Sequence, residues 1–228
     1  MQPKAKTFRF RASSTEPWLA THSCALILAV NWLAQGMRGM DPKELSFRLL
    51  LLGALTLMAG AGLLAHGGAT FGPPAALLLG LALAHSINFT LNGQLWVCLR
   101  YCPAYRKDPF RLATQTRALV RRVRRCIWLQ EAVLIGSAAR LATLPGPRSD
   151  IDLRLIFPPG WRGWLNTNLL LLELRAWALV KGLPLDLYAY DHPAQLRRFE
   201  QAEPMALVLD RQARLCRGFA NRELVRLP

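Results

Sequence analysis

From Leu49 to Leu99 the chain carries no Asp, Glu, Lys or Arg. Helices of a water-soluble domain need a solvated polar face, and a run of this length supplies none. A bilayer span, by contrast, takes roughly 20 consecutive apolar residues. A second uncharged run extends from Pro17 to Met37, whereas charges are frequent after Arg100. The whole chain holds 29 Lys and Arg against 14 Asp and Glu, so its basic and apolar residues must be segregated along it. These patterns divide the sequence into an α-helical membrane region, residues 1–100, and a water-soluble part, residues 101–228.

Three apolar segments lie in the membrane region. Residues 18–37 form the weakest, interrupted by His22, Asn31 and Gln35. Residues 48–65 and 75–99 are cleaner, separated by a glycine-rich break ending in Pro73-Pro74. The expectation is two to three transmembrane helices, two of them near 48–66 and 74–99, with 18–37 also helical. No cleavable signal peptide fits, because the first apolar run starts late and lacks a small-residue cleavage site. Arg100, Arg106, Lys107 and Arg111 place the downstream part in the cytoplasm, and the uncharged 66–74 loop outside. That reading gives a multi-pass protein of the inner or plasma membrane. The first segment has basic flanks on both sides: Lys4, Lys6, Arg9 and Arg11 before it, Arg38, Lys43 and Arg48 after it. A span and an interfacial or re-entrant segment both remain open for it. Asn88, Asn92 and Gln94 fit either a groove for a lipid-linked substrate or the cytoplasmic headgroup level, with Trp96 and Tyr101 as interfacial anchors. The second is simpler. The five cysteines are scattered and read as reduced structural thiols; Cys98 and Cys102 do not have zinc-site spacing.

Residues 111–129 have helical spacing, with Arg117, Arg121, Arg124 and Arg125 on one side and Leu112, Leu119 and Val123 on another. Beside a membrane such a helix suits an anionic lipid surface, each basic group contributing on the order of 1 kcal/mol. A polyanionic acceptor such as RNA is the competing partner. No aromatic residues are interleaved with the arginines, which counts against nucleic acid.

The chemistry-bearing stretch is "VLIGSAARLATLPGPRSDIDLRLIF", residues 133–157. A short buried strand ends at Gly136-Ser137. After twelve residues a second strand begins, alternating Asp150, Asp152 and Arg154 on one face with Ile151, Leu153 and Leu155 on the other. Two carboxylates so close need a cation beside them to stay ionised, and hard divalent ions such as Mg²⁺ or Mn²⁺ meet that need. A leucine-rich helix over 164–182 follows, and then a third strand over 183–191 with Asp186 between Leu185 and Leu187. Pairing of the second and third strands would bring Asp186 beside the other two acids.

In these residues the sequence resembles the DNA polymerase beta-like nucleotidyltransferase superfamily, closest to its minimal nucleotidyltransferases. The matching elements are Gly136-Ser137, Asp150-Ile151-Asp152 and the apolar-flanked Asp186, over roughly residues 110–210. Leu141 departs from the pattern, standing where a glycine is common. The resemblance implies an α/β fold, a small mixed-sheet domain behind the helical membrane region. It implies an Mg-dependent enzyme that transfers a nucleoside monophosphate from a nucleoside triphosphate, ATP among them. Asp150, Asp152 and Asp186 would be catalytic and hold two Mg²⁺ or Mn²⁺ ions, with Asp186 completing the second metal site and helping to deprotonate the attacking hydroxyl. Gly136, Ser137 and Arg140 would bind the nucleotide, and Arg148 is a weaker candidate. Trp161 and Trp164 are read either as base-stacking or as packing and membrane-facing residues; Asp191 and Asp210 as turn and strand-end residues. Membrane attachment suggests a lipid-linked sugar or a membrane protein as acceptor. The rival class is a non-catalytic membrane module binding nucleotide or a partner. A soluble nucleic-acid polymerase fits worst, because the charge-free half has no place in it.

Overall fold

A computed structural model describes residues 24–34, 40–67, 72–92, 94–100, 102, 105–140, 144–199, 203–219 and 224–226. Lys4, Lys6, Arg9, Arg11, Tyr101, Leu141 and both ends of the first apolar segment lie outside these residues. The described chain is a mixed α/β structure with a long helical hairpin leading into a sheet domain.

Helix α1 (Cys24–Ala34) is followed by α2 (Pro42–Gly67) and α3 (Pro73–Leu91). The last two are long and apolar enough to cross a membrane, and only 11% and 28% of their apolar windows are buried. Leu50, Leu57, Met58 and Leu78 are each about two-thirds exposed. What faces the neighbouring helix is small: a Cβ on Gly80 would lie 2.8 Å from the Gly60 nitrogen and 2.9 Å from the Thr56 carbonyl. Close backbone approach through small residues is how helices associate where burying apolar surface gains nothing. Helix α1 docks on this hairpin, Trp32 Nε1 donating to Ser86 Oγ at 3.1 Å.

The expected second span over 74–99 is interrupted. Helix α3 stops at Leu91 and a short helix, α4 (Gln94–Leu99), follows. Asn92 is buried, its amide donating to the Asn88 carbonyl while its own Oδ1 accepts from Arg175 at 3.2 Å. Trp96 is likewise no simple interfacial anchor, because its Nε1 donates to the Leu179 carbonyl at 2.9 Å. At the end of this apolar helix, Arg175 and the Leu179 carbonyl of the sheet domain supply partners for Asn92 and Trp96.

Helix α5 (Pro109–Arg125) starts at an Asp108 cap that accepts from the Phe110 and Arg111 amides, with Pro109 pre-set for the first turn. Leu112, Leu119 and Val123 are fully buried, while Arg117, Arg121 and Arg125 are exposed. Arg124 departs from the expected basic face and donates to the Val208 carbonyl at 3.2 Å. Strands β1 (Glu131–Ile135), β2 (Ile151–Ile156), β3 (Leu185–Tyr190), β4 (Met205–Asp210) and β5 (Leu224–Arg226) form one sheet in the order β3-β2-β1-β4-β5. The pairs β1–β2 and β1–β4 are antiparallel, and β2–β3 and β4–β5 are parallel. The β2–β3 crossover runs through α6 (Gly160–Lys181), which ends on Gly182 in the left-handed region at φ +63°.

Strand alternation gives the sheet two different faces. Leu134, Leu153, Leu155, Leu187 and Ala189 point to one, where α5 and α6 cover them in the main core. Val133, Ile135, Ile156, Tyr190 and Leu207 point to the other, under the 3-10 turn Pro193–Arg198 and the short helix α7 (Arg214–Gly218). Asp152, Arg154 and Asp186 belong to this second face by strand parity.

Strand β3 is an edge, and edges expose unpaired backbone groups. The start of α2 closes it. Glu44 Oε2 accepts the Ala189 amide at 3.0 Å, and Asp41 Oδ2 accepts the Asp191 amide at 3.0 Å. Arg175 donates to the Leu187 carbonyl and to Glu44 Oε1, the latter at 2.7 Å. Arg48 reaches the same oxygen at 2.7 Å. Glu44, Arg48 and Arg175 are all buried, so the first two turns of the apolar helix are an integral part of the sheet domain.

Candidate functional site

Strand β1 delivers the chain to Gly136, which sits at φ +77°. Only glycine takes this backbone without strain, and a second constraint acts on the same atom. A Cβ there would lie 3.3 Å from Asp152 Oδ2. Its amide donates to the Pro204 carbonyl at 2.9 Å, tying the turn to the approach of β4. After the strand comes a single 3-10 turn, Gly136–Ala139, with exposed Ser137 on its surface and exposed Arg140 at its end.

Register then fixes the acids. Ile135 pairs with Asp152 across β1–β2, and Asp152 pairs with Asp186 across β2–β3. Directly opposed residues on neighbouring strands project to the same face. The Asp152 and Asp186 side chains are 15% and 17% exposed, so solvent reaches both. Asp150 stands one residue ahead of β2 and is buried in an ion pair with buried Arg100, which immediately follows α4. Arg100 also acts on Asp186 electrostatically. The three acids thus gather at one end of the sheet, but Asp150 is turned toward Arg100, which follows the apolar helices. Among the described residues no three of His, Cys, Asp and Glu come together as a group able to hold a metal ion.

Arg154 is the residue the sequence placed on this face without a role. Its Nη2 lies 2.8 Å from Asp186 Oδ2 and 3.6 Å from Asp152 Oδ1. The guanidinium is 3% exposed and rests over the Tyr188 and Phe199 rings, 5.0 and 5.5 Å from their centroids. Burial alone would push the Asp186 carboxyl up, but Arg154 beside it, with Asp152 as hydrogen-bond partner, holds it down to about 2. Burial would lower Arg154, yet the two carboxylates raise it, so it stays charged. The signal for it is the alternation Asp152-Leu153-Arg154, which puts the arginine one strand repeat from the acid.

Whether these residues suit Mg²⁺ or Mn²⁺ depends on their present partners. Asp152 and Asp186 form a partly exposed carboxylate pair beside Gly136, and a hard cation would share them only by displacing Arg154. Asp150 fits a shared ion only if Arg100 leaves it. Arg148 is an exposed turn residue and Trp161 is 68% exposed, whereas Trp164 is a packing residue whose Nε1 donates to the Lys43 carbonyl. Asp191 follows β3 and pairs with Lys43; Asp210 ends β4 and accepts the Leu215 and Cys216 amides. No family model, no curated protein and no solved structure matches this chain.

Proposed function

We propose that the chain is a membrane-anchored nucleotidyltransferase of the polymerase beta-like type. The observation that carries the reading is the register Ile135–Asp152–Asp186: a glycine turn and two opposed carboxylates meet on the sheet face away from α5 and α6. The hairpin of α2 and α3 would span the bilayer, with both domain-facing ends in the cytoplasm beside Arg100, Arg106 and Lys107.

Asp152 and Asp186 would hold Mg²⁺ or Mn²⁺, an ion that neutralises charge on a triphosphate and on the departing pyrophosphate. Gly136 leaves room for phosphate oxygens to approach the backbone. Ser137 and Arg140, both exposed at the turn, donate hydrogen bonds to them. Arg154 keeps Asp186 ionised, the form that would ligate a metal. The same pairing weakens it as a base, so Asp186 would take the proton of an attacking hydroxyl only once the guanidinium has moved off it. Asp150 completes the acidic set when Arg100 is displaced. The acceptor hydroxyl or phosphate belongs to a membrane-associated molecule, a lipid-linked sugar or a membrane protein.

The test is incubation of the purified full chain with each labelled nucleoside triphosphate, Mg²⁺ and a membrane extract, followed by a search for labelled product. Asp152→Asn removes a charge that no neutral amide replaces. It should lower turnover by at least on the order of a hundredfold while the thermal unfolding transition stays in place. The grip of Arg100 and Arg154 on the acids favours one rival, a non-catalytic nucleotide-binding module. Triphosphate binding by the wild type without turnover, in Mg²⁺ and in Mn²⁺, would establish that rival instead.

A further inference from the structure

Among the described residues, the side of α6 away from the sheet carries large apolar residues in a stripe bordered by exposed Arg162, Asn166 and Glu173. Trp161, Leu169 and Val180 are 68%, 50% and 81% exposed, and Leu165, Leu172 and Ala176 between them are half-exposed. At 3.6 residues per turn these positions form one stripe, opposite the buried Leu170, Leu171, Leu174 and Ala178 that face the sheet. A surface helix of a soluble domain carries polar residues there.

The path of α2 shows what lies over the stripe. Asp41 contacts Gln195 in the 3-10 turn on the acid-bearing side of the sheet. One turn later Glu44 meets the Ala189 amide at the β3 edge. Phe47 then packs edge-on against Trp164 of α6, with ring centroids 5.6 Å apart. Beyond it come exposed Leu49 and Leu50. The helix therefore climbs from the acid side, past the sheet edge, past α6, and leaves in the direction that the stripe faces. Charge agrees with this placement. A cleft between α5 and α6 is lined by Arg121, Arg122, Arg125, Lys181 and Trp177, and the Arg122 guanidinium lies 5.7 Å from the Trp177 ring centroid.

We infer that α6 lies in the headgroup layer of the bilayer, its apolar stripe immersed and its arginine-lined flank against anionic lipid. This rests on the reading of α2 and α3 as spans. An in-plane helix with an apolar face, a tryptophan and a basic border is the form that interfacial binding takes. The consequence concerns the acceptor. The acids sit on the opposite side of the sheet, on the order of 15 Å beneath the immersed face, given the width of a helix and layer spacings near 10 Å. A reacting group must therefore reach Asp152 and Asp186 from the aqueous side, on a soluble molecule or on a headgroup or protein segment that extends into water.

The full chain, reconstituted in phosphatidylcholine vesicles with phosphatidylglycerol, tests this. Leu57 on α2, Leu169 on α6 and Arg197 on the acid side, all exposed, are replaced one at a time by photoreactive benzoylphenylalanine. After irradiation, lipid adducts are counted by mass spectrometry. Adducts are expected at Leu57 and at Leu169, the latter on the order of tenfold above Arg197. Adducts at Leu57 without adducts at Leu169 would overturn the inference and leave the spans intact. Crosslinks from Leu169 to a second copy of the chain would overturn it in favour of a dimer. No adducts at Leu57 would remove the spanning reading, and the inference with it.

Discussion

The hairpin and the sheet domain use the same residue types in opposite ways. In the domain, leucines such as Leu134, Leu153 and Leu174 are fully buried and arginines such as Arg117 and Arg121 are outside. In the hairpin, Leu57 and Leu78 are 67% exposed and the packed side holds Gly60, Thr56, Ala76 and Gly80. Water drives the first arrangement by expelling apolar surface. The hairpin helices, long and apolar enough to cross a membrane, pack through close backbone contact, as helices in lipid do. Where the two regimes meet, neither rule suffices. The junction is made of buried charged and polar groups: Glu44, Arg48 and Arg175 with the Asn92 amide on one side, Arg100 and Asp150 on the other. The difference teaches that the apolar hairpin is built into the sheet domain and is not tethered to it.

The comparison is most easily broken at Glu44. Glu44→Ala leaves Arg48 and Arg175 facing each other with no carboxylate and reopens the Ala189 amide. Losing one member of a buried ion cluster costs about 3–5 kcal/mol. Chemical denaturation in detergent should show that loss in the sheet domain, although the substitution lies on α2. An unchanged midpoint would mean that the two regions fold independently.

Gly80→Val tests the lipid rule. Its side chain would collide with the backbone at Gly60 and Thr56, and overpacking at such a contact costs about 1–3 kcal/mol. A distance reporter across the hairpin should lengthen, while denaturation of the sheet domain should hardly move. A large loss in the domain would show that hairpin packing supports the sheet as strongly as the junction does.

Arg100→Gln sharpens the comparison at the site. It removes the cation that follows the apolar helices and leaves Asp150 a hydrogen-bonding neighbour. Carboxylates released from a guanidinium bind a divalent ion more tightly, here by about tenfold, or about 1.4 kcal/mol. Mn²⁺ titration followed by electron paramagnetic resonance measures this without any turnover. Weaker Mn²⁺ binding in the variant would mean that Arg100 orders Asp150 instead of competing for it.

Much of the site is legible in the amino-acid sequence, for a local reason. Strand alternation alone puts Asp152 and Arg154 on one face, and the leucines around Asp186 mark a strand whose acid cannot lie in the core. The turn at Gly136 is legible as well, since a glycine there ends a short apolar strand. What lies beyond reach is every partner distant in sequence. Arg100 meets Asp150 fifty positions away and Glu44 meets Ala189 farther still, contacts that no periodicity encodes. The interruption of the last apolar segment at Asn92 has the same origin, because distant Arg175 donates to a polar side chain that hydropathy can only count.

By itself, then, the sequence determined where long apolar helices give way to a charged α/β part, because a long uncharged run leaves a helix no polar face. It also determined which residues share a strand face, because the pleat has a period of two. The tertiary structure alone decided that Asp150 faces Arg100 while Asp152 faces Asp186, and that α6 turns its apolar stripe away from the acids. Both depend on how distant segments of charge and apolar surface meet, and the energy of such meetings is set by burial and geometry, which local pattern does not carry.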